Sequence, residues 1–197
     1  MKEVRDIAGE AVRPVAVVGI GNVLLGDDAF GPTVLEVLAS RWELPDSVEL
    51  IDAGTPGLDL AGLLCGRDAV VLVDAVAAAG SPGDLFVWLD DELSKALAVQ
   101  VRVSPHDPAV AEALAVARLV GDGPLRTALV GVVPETVDVA LGLSEKVADA
   151  APRAATMVAG LLGEFGVDVT PRPGGGVARP WWAPGGVTAT QAADGKG

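Results

Sequence analysis

The chain has 197 residues, a length typical of a single domain, and 50% of them are hydrophobic. A chain with this apolar content can bury a sizeable core, which excludes disorder throughout. The 14 Lys and Arg residues against 27 Asp and Glu residues give a formal net charge of −13 at pH 7. This negative charge repels nucleic acid and anionic membrane surfaces, so neither is expected as a partner.

Cysteine content and the first residues predict the cellular compartment. Cys65 is the only cysteine of the sequence, so no internal disulfide can form. The opening sequence MKEVRDIAGEAVRP lacks the apolar segment of a signal peptide. The most apolar stretch, residues 69–79, is about 11 residues long and too short to cross a bilayer. We therefore expect a cytoplasmic protein.

The first half of the chain alternates predicted strands and helices. The uninterrupted β-branched run Pro14–Ile20 ends in glycines and predicts a strand buried on both faces. Apolar residues between positions 30 and 38 then recur with the spacing of a helix. Val48–Ile51 and Ala69–Val73 predict two more strands, and Leu58–Leu64 predicts a short helix between them.

The second half continues this alternation. Asp84–Leu89 and Leu125–Val133 predict strands, and an apolar stripe over residues 110–117 predicts a helix between them. Ser144 is placed to cap a long final helix, which we expect Pro152 to kink or interrupt. Strands alternating with helices predict a three-layer α/β fold with a mostly parallel sheet covered on both faces.

Composition divides the chain into three segments. Residues 1–13 form an N-terminal extension, residues 14–169 the domain, and residues 170–197 a Pro- and Gly-rich tail that we expect to be flexible. Within the tail, Trp181-Trp182 could dock on the domain or on a partner. We favour a loosely packed terminal pair of aromatic residues.

Acidic residues follow several predicted strands at the point where each strand ends. Asp27 and Asp28 follow the first strand, Asp52 ends the second, and Asp74 ends the third. His106, the only histidine, lies after the fourth. Each has an ordinary structural explanation as a cap or turn residue. Because ligands of parallel α/β proteins bind beyond the carboxyl ends of the strands, the whole set predicts a functional site at that edge.

The loop after the first strand matches neither of two nucleotide-binding motifs that its glycines suggest. A dinucleotide fingerprint starting at Gly19 requires a glycine where Leu24 stands. Gly21 and Gly26 have the spacing of a phosphate loop, but Asp27-Asp28 follow where Lys and Ser or Thr are required. Carboxylates repel phosphate and attract cations, and carboxylates with an imidazole suit Zn, Ni, Mn or Fe. A metal contact is therefore the leading hypothesis.

Other chemistries have weaker signals. A closed structural zinc site draws on several Cys and His ligands, and this chain has one of each. Cys65 lies in the apolar segment LLCGR, where a buried, inert thiol is the favoured interpretation. No G-x-S-x-G nucleophile motif occurs in the sequence, whereas acid–base catalysis by Asp and His stays open.

Five segments together resemble the hydrogenase maturation endopeptidases over roughly residues 14–166. In chain order they are GIGNVLLGDDAFG (19–31), DAGTPG (52–57), LVDAV (72–76), SPH (104–106) and VGVVPET (130–136). The resemblance implies a twisted, mostly parallel five-stranded sheet between helices, of the phosphorylase/hydrolase-like type. It also implies a peptidase that removes a C-terminal peptide from the nickel-loaded precursor of a nickel-iron hydrogenase large subunit.

The resemblance also implies roles for individual residues. Asp28, Asp74 and His106 correspond to the metal-contacting and catalytic positions, and some members have Glu in place of Asp28. Asp52 and Thr55 then shape the cleft or bind substrate, and Gly54 serves the backbone geometry of that substrate-binding segment. The family more usually has a DGG-type sequence where this chain has DAGTPG.

Nickel is expected to arrive with the substrate, because two carboxylates and one imidazole leave an open coordination sphere. It could position the scissile peptide, polarise its carbonyl or activate a water, with an Asp assisting proton transfer. A nickel-free precursor would lose these contacts and be cut poorly. We expect the enzyme to act as a monomer.

Two other functions fit the same residues. One is an aspartate-dependent peptidase that needs no nickel. The other is a nickel-binding or nickel-sensing accessory protein that uses the cluster without proteolysis. A nucleotide-binding domain is disfavoured by the acidic first loop.

Overall fold

The computed structural model describes residues 14–98 and 107–176, together with Ala178, Pro180 and Trp182. The strands are β1 (Val15–Ile20), β2 (Trp42–Glu43), β3 (Val48–Gly54), β4 (Ala69–Ala75), β5 (Leu85–Leu89), β6 (Arg126–Val132) and β7 (Thr170–Pro171). The helices are α1 (Phe30–Arg41), α2 (Leu60–Leu64), α3 (Asp90–Ala98), α4 (Asp107–Leu119) and α5 (Glu145–Glu164). Two 3₁₀ turns span Gly26–Ala29 and Gly57–Asp59.

Five strands form one sheet in the order β3-β1-β4-β6-β5. Neighbouring strands are parallel except β5, which runs antiparallel to β6. Each of the five predicted apolar runs forms one of these strands, so the predicted mostly parallel sheet is confirmed. The carboxyl ends of β3, β1, β4 and β6 consequently lie along the same edge of the sheet.

Alternate residues of the central strands supply two hydrophobic cores, one on each face of the sheet. The core on the face covered by α1 and α5 includes Val15, Val17, Val71 and Val73. The core on the face covered by α2 and α4 includes Ala16, Val18, Val70 and Leu72. Both faces are therefore covered, as predicted for a three-layer α/β fold.

The final helix follows Ser144 as predicted, but it differs from the prediction in its capping and in the effect of Pro152. Ser144 holds the N-cap position of α5, but its side chain makes no capping hydrogen bond. The helix runs through Pro152 as one segment of 20 residues, so of the two expected effects of Pro152, a kink or an interruption, the interruption is wrong. A proline in a helix costs about 3 kcal/mol. The apolar face of α5, with Ala151 and Ala155 buried against the core, offsets that cost.

Helix α3 has no counterpart in the sequence predictions. Its first turn carries three acidic residues, and Leu93 is its one fully buried side chain among those described, so its apolar stripe is too short to detect. Asp90 adopts a φ of 40° at the start of the helix. Its carboxylate accepts hydrogen bonds from the Thr127 N–H at 2.7 Å and from Arg126 Nε at 2.8 Å, which holds this strained conformation.

The segment expected to be a flexible tail begins with contacts to the domain. Strand β7 pairs antiparallel with β2, and the Arg172 N–H donates to the Arg41 carbonyl at 2.7 Å. Trp182 is 8% exposed and, with Ala178 and Pro180, lines a cavity of about 300 Å³ against α1 and α5. The described residues of this segment thus pack against the domain, in contrast to the flexible tail that was expected. Its remaining residues, including Trp181, lie outside the part of the chain that the structure describes.

Within the described residues, none of the helices combines the length and the apolar character needed to cross a bilayer.

Candidate active site

The loop after β1 buries two adjacent carboxylates with different surroundings. Asp28 is 2% exposed, and its Oδ2 accepts a hydrogen bond from the Asn22 N–H at 2.7 Å. Gly21 has a φ of +136°, and a Cβ there would overlap the Asp28 carbonyl oxygen. The loop therefore requires glycine at this position to place Asp28 at the end of β1.

Asp27 serves the structure of the neighbouring loop. Its side chain is fully buried, and its Oδ2 accepts hydrogen bonds from the N–H groups of Glu135 and Thr136 at 2.8 and 3.1 Å. The Ser144 N–H donates to Asp27 Oδ1 at 2.6 Å, and the Ser144 hydroxyl donates to Oδ2 at 2.9 Å. Asp27 thus holds both ends of residues 135–144, a structural role at long range that the sequence did not indicate.

Asp74 lies near the carboxyl end of β4, next to β1 in the sheet. It is fully buried, and its Oδ1 accepts a hydrogen bond from the Ala75 N–H at 2.8 Å. The 3₁₀ turn that carries Asp28 contacts β4. The two carboxylates predicted to contact the metal are therefore both buried at the ends of adjacent parallel strands.

Gly31 permits this close arrangement. It lies in the first turn of α1, where a Cβ would overlap the backbone of Ile20 and the carbonyl oxygen of Val73. The absence of a side chain lets α1 pack directly on the ends of β1 and β4. The position of the Asp28 turn relative to Asp74 depends on this contact.

A cleft of about 230 Å³ opens beside the loop whose Asn22 N–H donates to Asp28. It is lined by Gly21, Asn22, Val23, Asp52, Gly54 and Thr55. All three positions predicted to form the substrate-binding segment therefore lie in one cleft at the ends of β1 and β3. Their role in binding substrate stays a prediction.

Asp52 and Gly54 also define the local backbone of the cleft. Asp52 Oδ1 accepts a hydrogen bond from the Gly54 N–H at 3.0 Å, which is the turn contact considered as its structural explanation. Gly54 has a φ of 56°, a conformation that favours glycine. Partial desolvation of Glu36 on α1 raises the pKa of its carboxyl, and the Asp52 carboxylate raises this pKa further.

The third predicted metal contact, His106, lies outside the described residues. Helix α4, which begins at the next residue, packs against the 3₁₀ turn Gly57–Asp59 that follows the cleft. Within the part of the chain that the structure describes, no three His, Cys, Asp or Glu side chains are grouped to hold a metal ion. The metal set of Asp28, Asp74 and His106 accordingly stays a prediction.

Comparison with known proteins identifies the family. The hydrogenase maturation protease family matches residues 32–161. The hydrogenase 2 maturation protease of Escherichia coli (strain K12) is 36% identical over 159 residues, which cover 80% of this chain and 96% of that protein. The hydrogenase expression/formation protein HupD of Rhizobium leguminosarum bv. viciae is 33% identical over 167 residues, covering 84% of this chain and 82% of that protein.

Solved structures show the same relationship. The hydrogenase maturating endopeptidase HybD from E. coli superposes with a TM-score of 0.74 at 36% identity, covering 81% of this chain and 98% of that one. A hydrogenase 2 maturation peptidase from a Thaumarchaeota archaeon superposes with a TM-score of 0.57 at 34% identity, covering 76% of this chain and 98% of that one. The resemblance inferred from the motifs is thus confirmed, and the chain belongs to the hydrogenase maturation proteases, a family of peptidases.

Proposed function

We propose that this protein is an endopeptidase that removes a C-terminal peptide from the nickel-loaded precursor of a nickel-iron hydrogenase large subunit. The coarse function rests on the family, whose E. coli relative is a hydrogenase 2 maturation protease. The finer proposal rests on one observation: Asp28 and Asp74 are buried carboxylates at the carboxyl ends of adjacent parallel strands.

Buried carboxylates favour a cation, because charge removed from water needs a partner of opposite sign. In our proposal Asp28 and Asp74 bind the nickel that the substrate carries, together with His106. Carboxylate and imidazole are suitable ligands for this metal. The three side chains come from separate segments, so the substrate supplies the remaining ligands. A precursor without nickel would then dock poorly, which makes nickel the signal that insertion is complete.

The adjoining cleft is suited to hold the peptide near the scissile bond. Asn22 and Val23, which follow β1, line it together with Asp52 and Thr55 at the end of β3. Because Asn22 donates its backbone N–H to Asp28, the cleft and the carboxylate share one loop. A peptide in this cleft would lie next to the carboxylates, where one of them could assist proton transfer during hydrolysis.

Isosteric substitution tests the site. Asp28→Asn and Asp74→Asn each keep an oxygen that can accept the backbone hydrogen bond now made to Asn22 or Ala75, so the fold should persist. Trimming of the nickel-loaded precursor, followed by intact-mass spectrometry, should slow by at least about 100-fold in each variant. Asp149→Asn, an exposed position on α5, is the matched control and should retain full activity. Full activity of both site variants would refute the assignment.

A further inference from the structure

Four apolar side chains near the site are exposed. They lie on two loops, one after β1 and one after β6, and their exposed fractions are 56% for Leu24, 44% for Val137, 86% for Val139 and 60% for Leu141. We refer to these four residues as the apolar rim. Single exposed apolar residues are common, but a group on adjoining loops marks an interaction surface.

The two loops that carry the apolar rim are joined through their backbones. The Gly26 N–H donates to the Ala140 carbonyl at 2.9 Å, and the Ala140 N–H donates to the Leu24 carbonyl at 3.1 Å. This pairing brings Leu24 beside the segment that holds Val139 and Leu141. The ends of the second loop are held by the Asp27 carboxylate. The rim is therefore fixed in place by contacts that do not bury its side chains, which is the preorganisation that favours binding.

The apolar rim is continuous with the candidate active site. Asn22 and Val23 line the cleft, and the next residue, Leu24, belongs to the rim. The Leu24 N–H donates to Asn22 Oδ1 at 3.0 Å, while the Asn22 N–H donates to Asp28. A protein that brings its cleavage site to Asp28 would lie across this loop and cover Leu24.

We infer that the apolar rim is the docking surface for the body of the protein substrate, through an apolar patch next to its cleavage site. This inference rests on the proposed function and adds a contact outside the cleft. Charge disfavours two other occupants, because a second copy of this chain or an anionic membrane would meet a net charge of −13. Asp138 lies between Val137 and Val139 and is exposed, which suits a basic group at the edge of the partner's patch.

The test compares two double variants of equal chemistry. Val139→Ser with Leu141→Ser removes the most exposed pair of the rim. Val120→Ser with Leu125→Ser is the matched control, since these side chains are 62% and 76% exposed, after α4 and before β6. The protein and the nickel-loaded large-subunit precursor are used, and Kd, KM, kcat and the thermal midpoint are measured. All four substitutions lie at exposed positions, so the fold should tolerate them.

The rim variant should raise Kd and KM about tenfold or more, with kcat and the thermal midpoint unchanged. The control should change none of them. A rim variant within twofold of the wild type, or a control that weakens binding equally, would overturn the inference. So would a wild-type protein that forms a dimer which the rim variant abolishes, because the occupant would then be a second copy.

Binding and trimming separate the two proposals. If the wild type binds the precursor without trimming it, and the rim variant loses that binding, the docking surface stands while the peptidase proposal fails. If the wild type trims the precursor and the rim variant does so with an unchanged KM, the peptidase proposal stands while the docking surface fails.

Discussion

The Asp27 carboxylate accepts two hydrogen bonds from Ser144, one from its N–H at 2.6 Å and one from its hydroxyl at 2.9 Å. The two residues are 117 positions apart in the chain, and each belongs to a loop beside the candidate active site. The neighbouring Asp28 is the predicted metal contact. Two consecutive aspartates thus differ in their surroundings: Asp27 holds the two loops together, and Asp28 is the residue that we propose contacts the metal.

Asp27→Asn should destabilise the protein. An amide group cannot accept hydrogen bonds through its nitrogen, and both carboxylate oxygens of Asp27 now accept them from N–H groups. Either orientation of the Asn side chain leaves a partly buried N–H group unpaired, so we expect a loss of about 2 kcal/mol in the free energy of unfolding. Urea denaturation measures this loss. Asp149→Asn serves as the surface control, and an equal stability of both variants would contradict the structural role.

Gly31→Ala should destabilise the protein by about 3 kcal/mol, because the added methyl group would overlap the backbone of Ile20 and Val73. The helix would have to move away from the strand ends, so precursor trimming should fall as well. Gly160→Ala in α5 is the control, since a Cβ there meets no atom within 4 Å. Helix propensity predicts that this control gains up to about 1 kcal/mol. Equal effects of the two changes in thermal and urea unfolding would refute the close-packing argument.

Glu36→Gln should stabilise the protein at neutral pH and have less effect in acid. Desolvation and Asp52 raise the pKa of Glu36 above its ordinary value of 4.5. The Glu36 carboxyl therefore binds a proton more tightly in the folded state than in the unfolded chain. Its contribution to the free energy of unfolding is lost as pH rises through the folded-state pKa. Because Glu36 is exposed, we expect a gain of less than about 0.5 kcal/mol at pH 7.

The measurement for Glu36 is urea unfolding of the wild type and variant at pH 4 and pH 7. Glu112→Gln, an exposed position on α4, is the surface control for the change of Glu to Gln. A Glu36→Gln gain of the same size at pH 4 and pH 7 would show that the carboxyl charge is not its cause.

The sequence predicted the sheet well because its strands are short apolar runs. Val15–Ile20 and Ala69–Ala75 are buried at every position. Such runs predict strands even when the neighbouring strands of the sheet are unknown. Because Asp28 follows one of these runs and Asp74 lies near the end of the other, their position at one edge of the sheet was predictable as well. Helix α3 escaped detection because its acidic first turn and single fully buried leucine give a weak periodic signal.

The sequence did not predict the roles of residues whose contacts are far away in the chain. Ser144 has the sequence signal of a helix cap, yet its hydroxyl donates to Asp27. Pro152 has the signal of a helix break, yet packing of α5 on the core keeps the helix continuous. In both cases a tertiary contact outweighs a local preference. Such contacts can be identified only once the three-dimensional structure is known.

Nickel-dependent processing is measured by incubating the protein with a cognate nickel-iron hydrogenase large-subunit precursor, prepared with and without nickel, and determining intact masses. A defined C-terminal peptide should be lost from the nickel-loaded precursor, and the nickel-free precursor should keep its full mass. An untrimmed nickel-loaded precursor would contradict the peptidase proposal. Equal trimming of both forms would contradict nickel as the recognition signal.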